Sequence, residues 1–311
     1  MSTSVSGTTA SSGLRLTLTL SAPDDVVSDG DIVGVSLRAV ETDDVVVIIE
    51  QATVELVRAL TYTYRRGNAY GPSTTAIERV ETVVDRSPLN GLSGLAPGEV
   101  FDREVKLTVP AEGPGTTAGK LIRVQWSVRA RIEVAGCSEV VVERAITVLS
   151  RALRCAADGT TPPEEAARRG VTMSFDELSA RTILPGIPLT GVLHIAATRA
   201  VPARMVRVEL VVRELVDHGP GASGDPDRSP ADDGTESLWV LARLVVACRM
   251  FTPGQWLDVP FSLEVPAPLS TPSMQLPGLR IHWELRGVVD LPLRLDPRIT
   301  LGLVGATAAS W

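Results

Sequence analysis

Apolar and polar residues alternate with period two along most of this chain. Residues 14–20 read LRLTLTL, which puts Leu14, Leu16, Leu18 and Leu20 on one face, the mark of a half-buried strand. A turn at Ser28 leads into a strand ending at Val40, and residues 43–64 hold one or two more. Residues 65–75 (RRGNAYGPSTT) read as a polar hairpin loop, with 77–84 as the return strand. Residues 85–98 are rich in turn formers. The stretch 101–109 then alternates with Phe101, Val105, Leu107 and Val109 inward, and 122–134 and 138–149 complete the series.

A second series follows. Strands are expected at 172–178, 183–197, 205–216, 238–248, 257–265 (Leu257, Val259, Phe261, Leu263 and Val265 inward) and 279–291. It repeats the first about 156 residues later: LAPGEVFDREVKLTVP at 95–110 is answered by FTPGQWLDVPFSLEVP at 251–266. IRVQWSVRARIEV at 122–134 is answered by LRIHWELRGVVDL at 279–291, matching Arg123 with Arg280, Trp126 with Trp283 and Arg129 with Arg286. A fixed-period match points to a duplicated folding unit. Features present in both halves then belong to architecture, and a site present once belongs where the halves differ.

Short strands joined by Gly/Pro turns predict an all-β protein of two tandem immunoglobulin-like β-sandwiches. The expected organisation is a disordered tail at 1–12, an N-terminal sandwich at 13–150, a linker at 151–171, a C-terminal sandwich at 172–305 and a tail at 306–311. Within the linker, Pro163 before EEAARR could open one helical turn. Residues 217–237 (DHGPGASGDPDRSPADDGTES) are acidic and nearly devoid of apolar side chains, and read as a mobile insertion.

Composition narrows the function classes. At 311 residues the chain is long enough for two cores, and its net charge of -7 gives no general attraction to nucleic acid. Only two lysines occur, Lys106 and Lys120, so positive charge is nearly all arginine. Three cysteines, Cys137, Cys155 and Cys248, lack metal spacing and read as reduced thiols in a cytoplasmic protein. No apolar run approaches the length of a membrane helix.

The residue types that carry chemistry are scattered. His194, His218 and His282 fall in separate elements and offer neither a zinc set nor a nucleophile–base pair. The acid pairs Asp24-Asp25, Asp43-Asp44 and Asp232-Asp233 lack calcium-loop spacing and read as solvated turns. Trp126 and Trp283 stand among inward residues and read as core. The opposite rows, Arg123, Gln125, Ser127, Arg129 and Arg131 in one half and Arg280, His282, Glu284 and Arg286 in the other, read as solvated sheet faces, with docking as the functional alternative. No catalytic residue, cofactor site or metal site is expected, and the partner-binding residues are unassigned.

The order of elements resembles the arrestin-like superfamily. The residues that carry the likeness are the turns into strands at Gly30–Gly34 and Gly186–Gly191 and the Val-Glu-Leu cores at 54–56 and 208–210. To these are added Pro97-Gly98 through Pro110, Pro253-Gly254 through Pro266, and the aromatic–basic pairs Trp126/Arg129 and Trp283/Arg286. The likeness covers about residues 14–303 and is nearest to bacterial arrestin-like proteins of the sporulation-control type. The phosphate-sensing lysines that open visual and β-arrestins have no counterpart here. The resemblance implies two tandem arrestin-like sandwiches acting as a non-enzymatic scaffold or adaptor. Protein partners would bind through sheet edges, loops or the interdomain cleft. The alternatives are a structural or assembly subunit and a ligand- or carbohydrate-binding sandwich. Neither nucleic acid nor an integral membrane segment is expected, while peripheral or self-association stays open.

Overall fold

The computed structural model describes residues 13–43, 45–68, 71–91, 93–136, 139–150, 170–217, 234–247, 250–292 and 295–307, together with 4–8; at 4–8, 66–68 and 71–73 only the backbone is described. No α-helix occurs among the described residues. The chain is an all-β protein with two tandem sandwich-like halves, each built from a smaller and a larger sheet.

The first half contributes β1 (Ser4–Thr8), β2 (Leu14–Leu20), β3 (Val26–Ser28), β4 (Ile32–Glu41), β5 (Val47–Asn68) and β6 (Gly71–Pro88). It continues with β7 (Gly94–Leu95), β8 (Val100–Thr108), β9 (Thr117–Ala118), β10 (Ile122–Val134) and β11 (Val140–Leu149). One sheet runs β1-β2-β4-β8; the other runs β3-β11-β10-β5-β6, with β7 and β9 on β5 and β10. Their facing rows, among them Leu14, Leu16, Leu18, Leu20, Leu37, Leu56, Val124 and Val128, are buried. The period-two pattern thus becomes a core through ordinary pleating.

The second half contributes β12 (Val171–Asp176), β13 (Thr182–Ile183), β14 (Leu189–Ala197), β15 (Val201–Pro202), β16 (Met205–Val216) and β17 (Thr235–Ala247). β18 (Met250–Phe251), β19 (Trp256–Leu263), β20 (Met274–Leu276), β21 (Leu279–Asp290) and β22 (Arg298–Gly305) follow. A three-stranded sheet, β12-β14-β19, faces a larger one that runs β13-β22-β21-β16-β17. By spatial grouping, the first compact unit comprises 1–61, 78–117 and 123–150, and the second takes in 62–77 and 118–122 with 151–311.

The sequence repeat has a structural counterpart at each conserved step. In both halves a Pro-Gly turn closes with an i to i+3 bond: Glu99 N–H donates to Ala96 O at 2.9 Å, and Gln255 N–H to Thr252 O at 3.0 Å. Gly98 and Gly254 sit at φ +74° and +76°, the left-handed region that a type II Pro-Gly turn requires. A short parallel strand enters each larger sheet, β3 along β11 and β13 along β22. Both tryptophans lie in the core, and each indole N–H donates to a carbonyl 12 residues upstream. Trp126 bonds Pro114 O at 3.1 Å and Trp283 bonds Thr271 O at 2.9 Å.

Several expected boundaries move. Residues 4–8, placed above in a disordered tail, form β1 and pair along β2. The polar stretch 65–75 is mostly strand, since β5 runs to Asn68 and β6 begins at Gly71. Ladder hydrogen bonds extend a hairpin without requiring an apolar face, so a polar stretch there need not be a loop. β8 is a sheet edge, and of the four core residues predicted at 101–109 only Leu107 and Val109 are fully buried. Thr235–Ser237, placed above in the mobile insertion, opens β17; 218–233 and 151–169 lie outside the described residues.

The tryptophan bonds generate a test. Trp283→Phe keeps an aromatic ring but strands the Thr271 carbonyl, and should lower unfolding free energy by about 1–3 kcal/mol. Trp283→Ala should cost about 3–5 kcal/mol. Urea denaturation followed by circular dichroism reads both, and a Phe variant with a wild-type midpoint would show that the bond is dispensable.

Candidate interaction surface

Each larger sheet ends in the return strand of a long hairpin. β6 pairs with β5 on one side and meets no strand on the other among the described residues; β17 stands in the same way beside β16. An open edge offers unpaired backbone N–H and C=O groups to any extended chain that reaches it. β6 also carries apolar side chains into solvent, with Ile77 72%, Val80 39% and Val83 41% exposed. On β17, Val245 is 50% exposed.

Charge on the outer face of the first half's larger sheet is ordered from that edge inward. Arg79 Nη2 lies 2.7 Å from Glu81 Oε1, Glu81 Oε2 3.3 Å from Arg129, and Arg129 Nη2 3.1 Å from Glu143 Oε2. Ser127 Oγ donates to Glu143 Oε1 at 2.5 Å. Beside this chain of alternating charges is a cavity of about 210 Å³ lined by Gln51, Thr53, Glu55, Arg86, Arg131 and Glu139. Glu55 is buried, with Oε1 held by Arg86 at 2.6 Å and no hydrogen-bond donor among the described residues within reach of Oε2. The cavity walls carry both signs of charge, which suits polar recognition.

In the second half the matching row is more deeply covered. Glu284 and Arg286 are both buried, and Arg286 donates to Glu284 Oε2 through Nε at 2.7 Å and Nη2 at 2.5 Å. His282 Nε2 and Arg213 Nε lie 3.1 and 3.2 Å from Glu284 Oε1. Burial pushes the Glu284 carboxyl up, but the His282 and Arg286 bonds and the Arg286 and Arg213 charges outweigh it, leaving it at about 2. The expectation of a solvated face therefore fails at Glu284 and Arg286. The shared arginine has a carboxylate in both halves, supplied by neighbouring β11 as Glu143 in one and by its own strand as Glu284 in the other.

Two of the buried charges stand in rows that alternation marks as apolar. Arg144 falls in the apolar row of β11 and is gripped bidentately by Asp25, at 3.0 Å from Nε and 2.5 Å from Nη2. Asp25, one member of an acid pair weighed for calcium, is thus a structural counter-ion. Glu214 falls in the apolar row of β16, fully buried. Within the second compact unit it accepts the backbone N–H groups of Lys120, Leu121 and Ile122 at 2.8, 2.5 and 2.9 Å. Burial pushes its carboxyl up against the opposing pull of these donors.

The remaining candidates stay apart. His194 pairs with Asp258 at 2.6 Å on the exposed face of β14 and β19, and that bond raises its imidazole. His282 serves Glu284, while His218 and the three cysteines lie outside the described residues. Among the described residues no three His, Cys, Asp or Glu side chains are grouped to hold a metal, and no helix is long and apolar enough to cross a membrane. Trp256, which the alternation did not single out, is 74% exposed at the start of β19, two residues from Asp258. No protein-family model matches this sequence, and no curated protein resembles it significantly.

Glu284 sets a pH test. Its carboxyl is depressed in the folded state, so the stabilisation it contributes is complete above the ordinary value of about 4.5 and disappears as pH falls towards about 2. The wild type should lose roughly 3 kcal/mol across that window through this group. Glu284→Gln should flatten that part of the profile and, by leaving Arg286 buried without its anion, cost about 3–5 kcal/mol at pH 7. Denaturant titrations from pH 7 to pH 2 measure both. Parallel profiles for the two proteins would rule out the assignment.

Proposed function

We propose that this chain is a non-enzymatic arrestin-like scaffold that binds protein partners by adding their extended segments to its open sheet edges. The carrying observation is that both larger sheets end in long strands, β6 and β17, whose outer edges face no strand among the described residues. Main-chain hydrogen bonds to such an edge supply affinity, and alternate side chains of the added strand supply specificity. The arrestin-like assignment draws its support from the order of the duplicated elements: the Gly turns, the Val-Glu-Leu strands, the Pro-Gly turns and the Trp–Arg strands. Cysteine usage favours a cytoplasmic setting.

One observation favours a second reading, a carbohydrate-binding sandwich. The exposed Trp256 ring stands near the polar pair His194 and Asp258, and sugar sites use an open aromatic flanked by hydrogen-bonding groups. Glycan titration followed by Trp fluorescence, repeated on Trp256→Ala, tests it.

For the scaffold, a photo-crosslinking residue at Val245 on β17 should trap other proteins in cells, while the same residue at Arg15 on the interior strand β2 should not. Adducts at both positions alike, or none at Val245, would remove the proposed surface. Substrate turnover by the purified chain would count against a scaffold altogether.

A further inference from the structure

We propose that the free edge of β6 is a self-association surface, on which β6 of a second copy of this chain pairs antiparallel across a two-fold axis at Val80. The proposal rests on the edge-recognition reading above and names one partner for one edge. Its basis is that residues 76–84, AIERVETVV, are complementary to themselves when read in opposite directions. About Val80, Arg79 faces Glu81 of the second copy, Glu78 faces Thr82, Ile77 faces Val83 and Ala76 faces Val84. Opposite charges meet, and apolar residues meet apolar residues. Pleating keeps the pairs coherent, since residues 77, 79, 81 and 83 share one face and 76, 78, 80, 82 and 84 the other.

Exposure agrees with the pattern. Ile77, Val80 and Val83 are open to solvent on a strand whose other edge is already used by β5. A two-fold axis perpendicular to the sheet must pass through a residue, because directly opposed residues share a face. Moving it by one residue sets Arg79 against Arg79 or Glu81 against Glu81, which is unfavourable. Moving it to Thr82 sets Glu81 against Val83 and calls on Asp85 and Arg86. Asp85 already accepts the Thr108 N–H at 2.7 Å, and Arg86 holds Glu55. The Val80 register uses Arg79 and Glu81 as they stand, with side chains 58% and 39% exposed. It carries the chain of alternating charges from Arg129 through Glu81 onto Arg79 of the second copy. An isologous contact of this kind closes at two subunits and covers the edge that each copy would otherwise leave open to aggregation. It leaves β17 for other partners.

Sedimentation velocity of the full chain across a range of concentrations tests this. The wild type should form dimers. Arg79→Glu and Glu81→Arg should each weaken self-association at least about tenfold, because each places two like-charge pairs across the axis. Mixing the two variants should restore a dimer, since one chain then carries carboxylates at both positions and the other guanidinium groups at both. Every charged pair across the axis is again of opposite sign. Glu81→Arg also loses the Arg129 contact, and recovery on mixing separates charge repulsion from a folding defect. A monomeric wild type, a dimer indifferent to Arg79→Glu, or failure of the mixture to associate would each overturn the proposal. Any of these results accompanied by heterologous adducts at Val245 overturns the self-pairing alone and leaves the scaffold reading intact.

Discussion

A buried indole N–H must find an acceptor, and in both halves of this protein the acceptor is a carbonyl 12 residues upstream. That requirement ties the loop preceding β10 or β21 to the core beneath it. It also sets which face of the strand turns inward. Once Trp126 and Trp283 point in, their alternate neighbours Arg123, Arg129, Arg280 and Arg286 must point out. In the second half the fit is close enough that a Cβ at Gly305 would strike the Trp283 indole, so the neighbouring strand is glycine at that point. The Pro-Gly turns and the short parallel strands recur at the same interval around this anchor.

With the inner rows anchored, the outer rows were free to diverge. The shared arginine kept a counter-ion, but Arg129 takes Glu143 from the next strand whereas Arg286 takes Glu284 from its own. The second solution buries the pair and holds Glu284 ionised to low pH; the first leaves a partly exposed chain of charges that runs out to the β6 edge. Open edges follow from the hairpin connections themselves, because the last strand of each larger sheet has a neighbour on one side only among the described residues.

Much of the architecture was legible in the residue pattern. β2, β10 and β16 begin and end where alternation says they should, and the duplication announced two similar units before any contact was known. Pattern and structure diverge where polar residues continue a strand, at 65–68 and 71–75, and where an apolar phase is not fully buried, at Phe101 and Val105. Both concern strands at or near a sheet edge, where the ladder holds the backbone without needing an apolar face. Arg144 and Glu214 were visible as charges in apolar rows, an anomaly that signals a buried counter-ion or donor set, but nothing nearby in the chain identified their partners.

Alternation is a local property of the covalent chain, so the sequence alone determined the facing of the alternating strands and the two-fold repetition. Pairing across the fold is not local. Arg144 meets Asp25 over a separation of 119 residues, and Glu214 meets the Leu121 N–H over 93. No short-range pattern records such distances. The tertiary structure decided which charges are buried and satisfied, that Trp256 lies in solvent, and which strand edges stand open. Each of these depends on what the rest of the chain brings against a residue, whereas facing depends only on the residue and its neighbours.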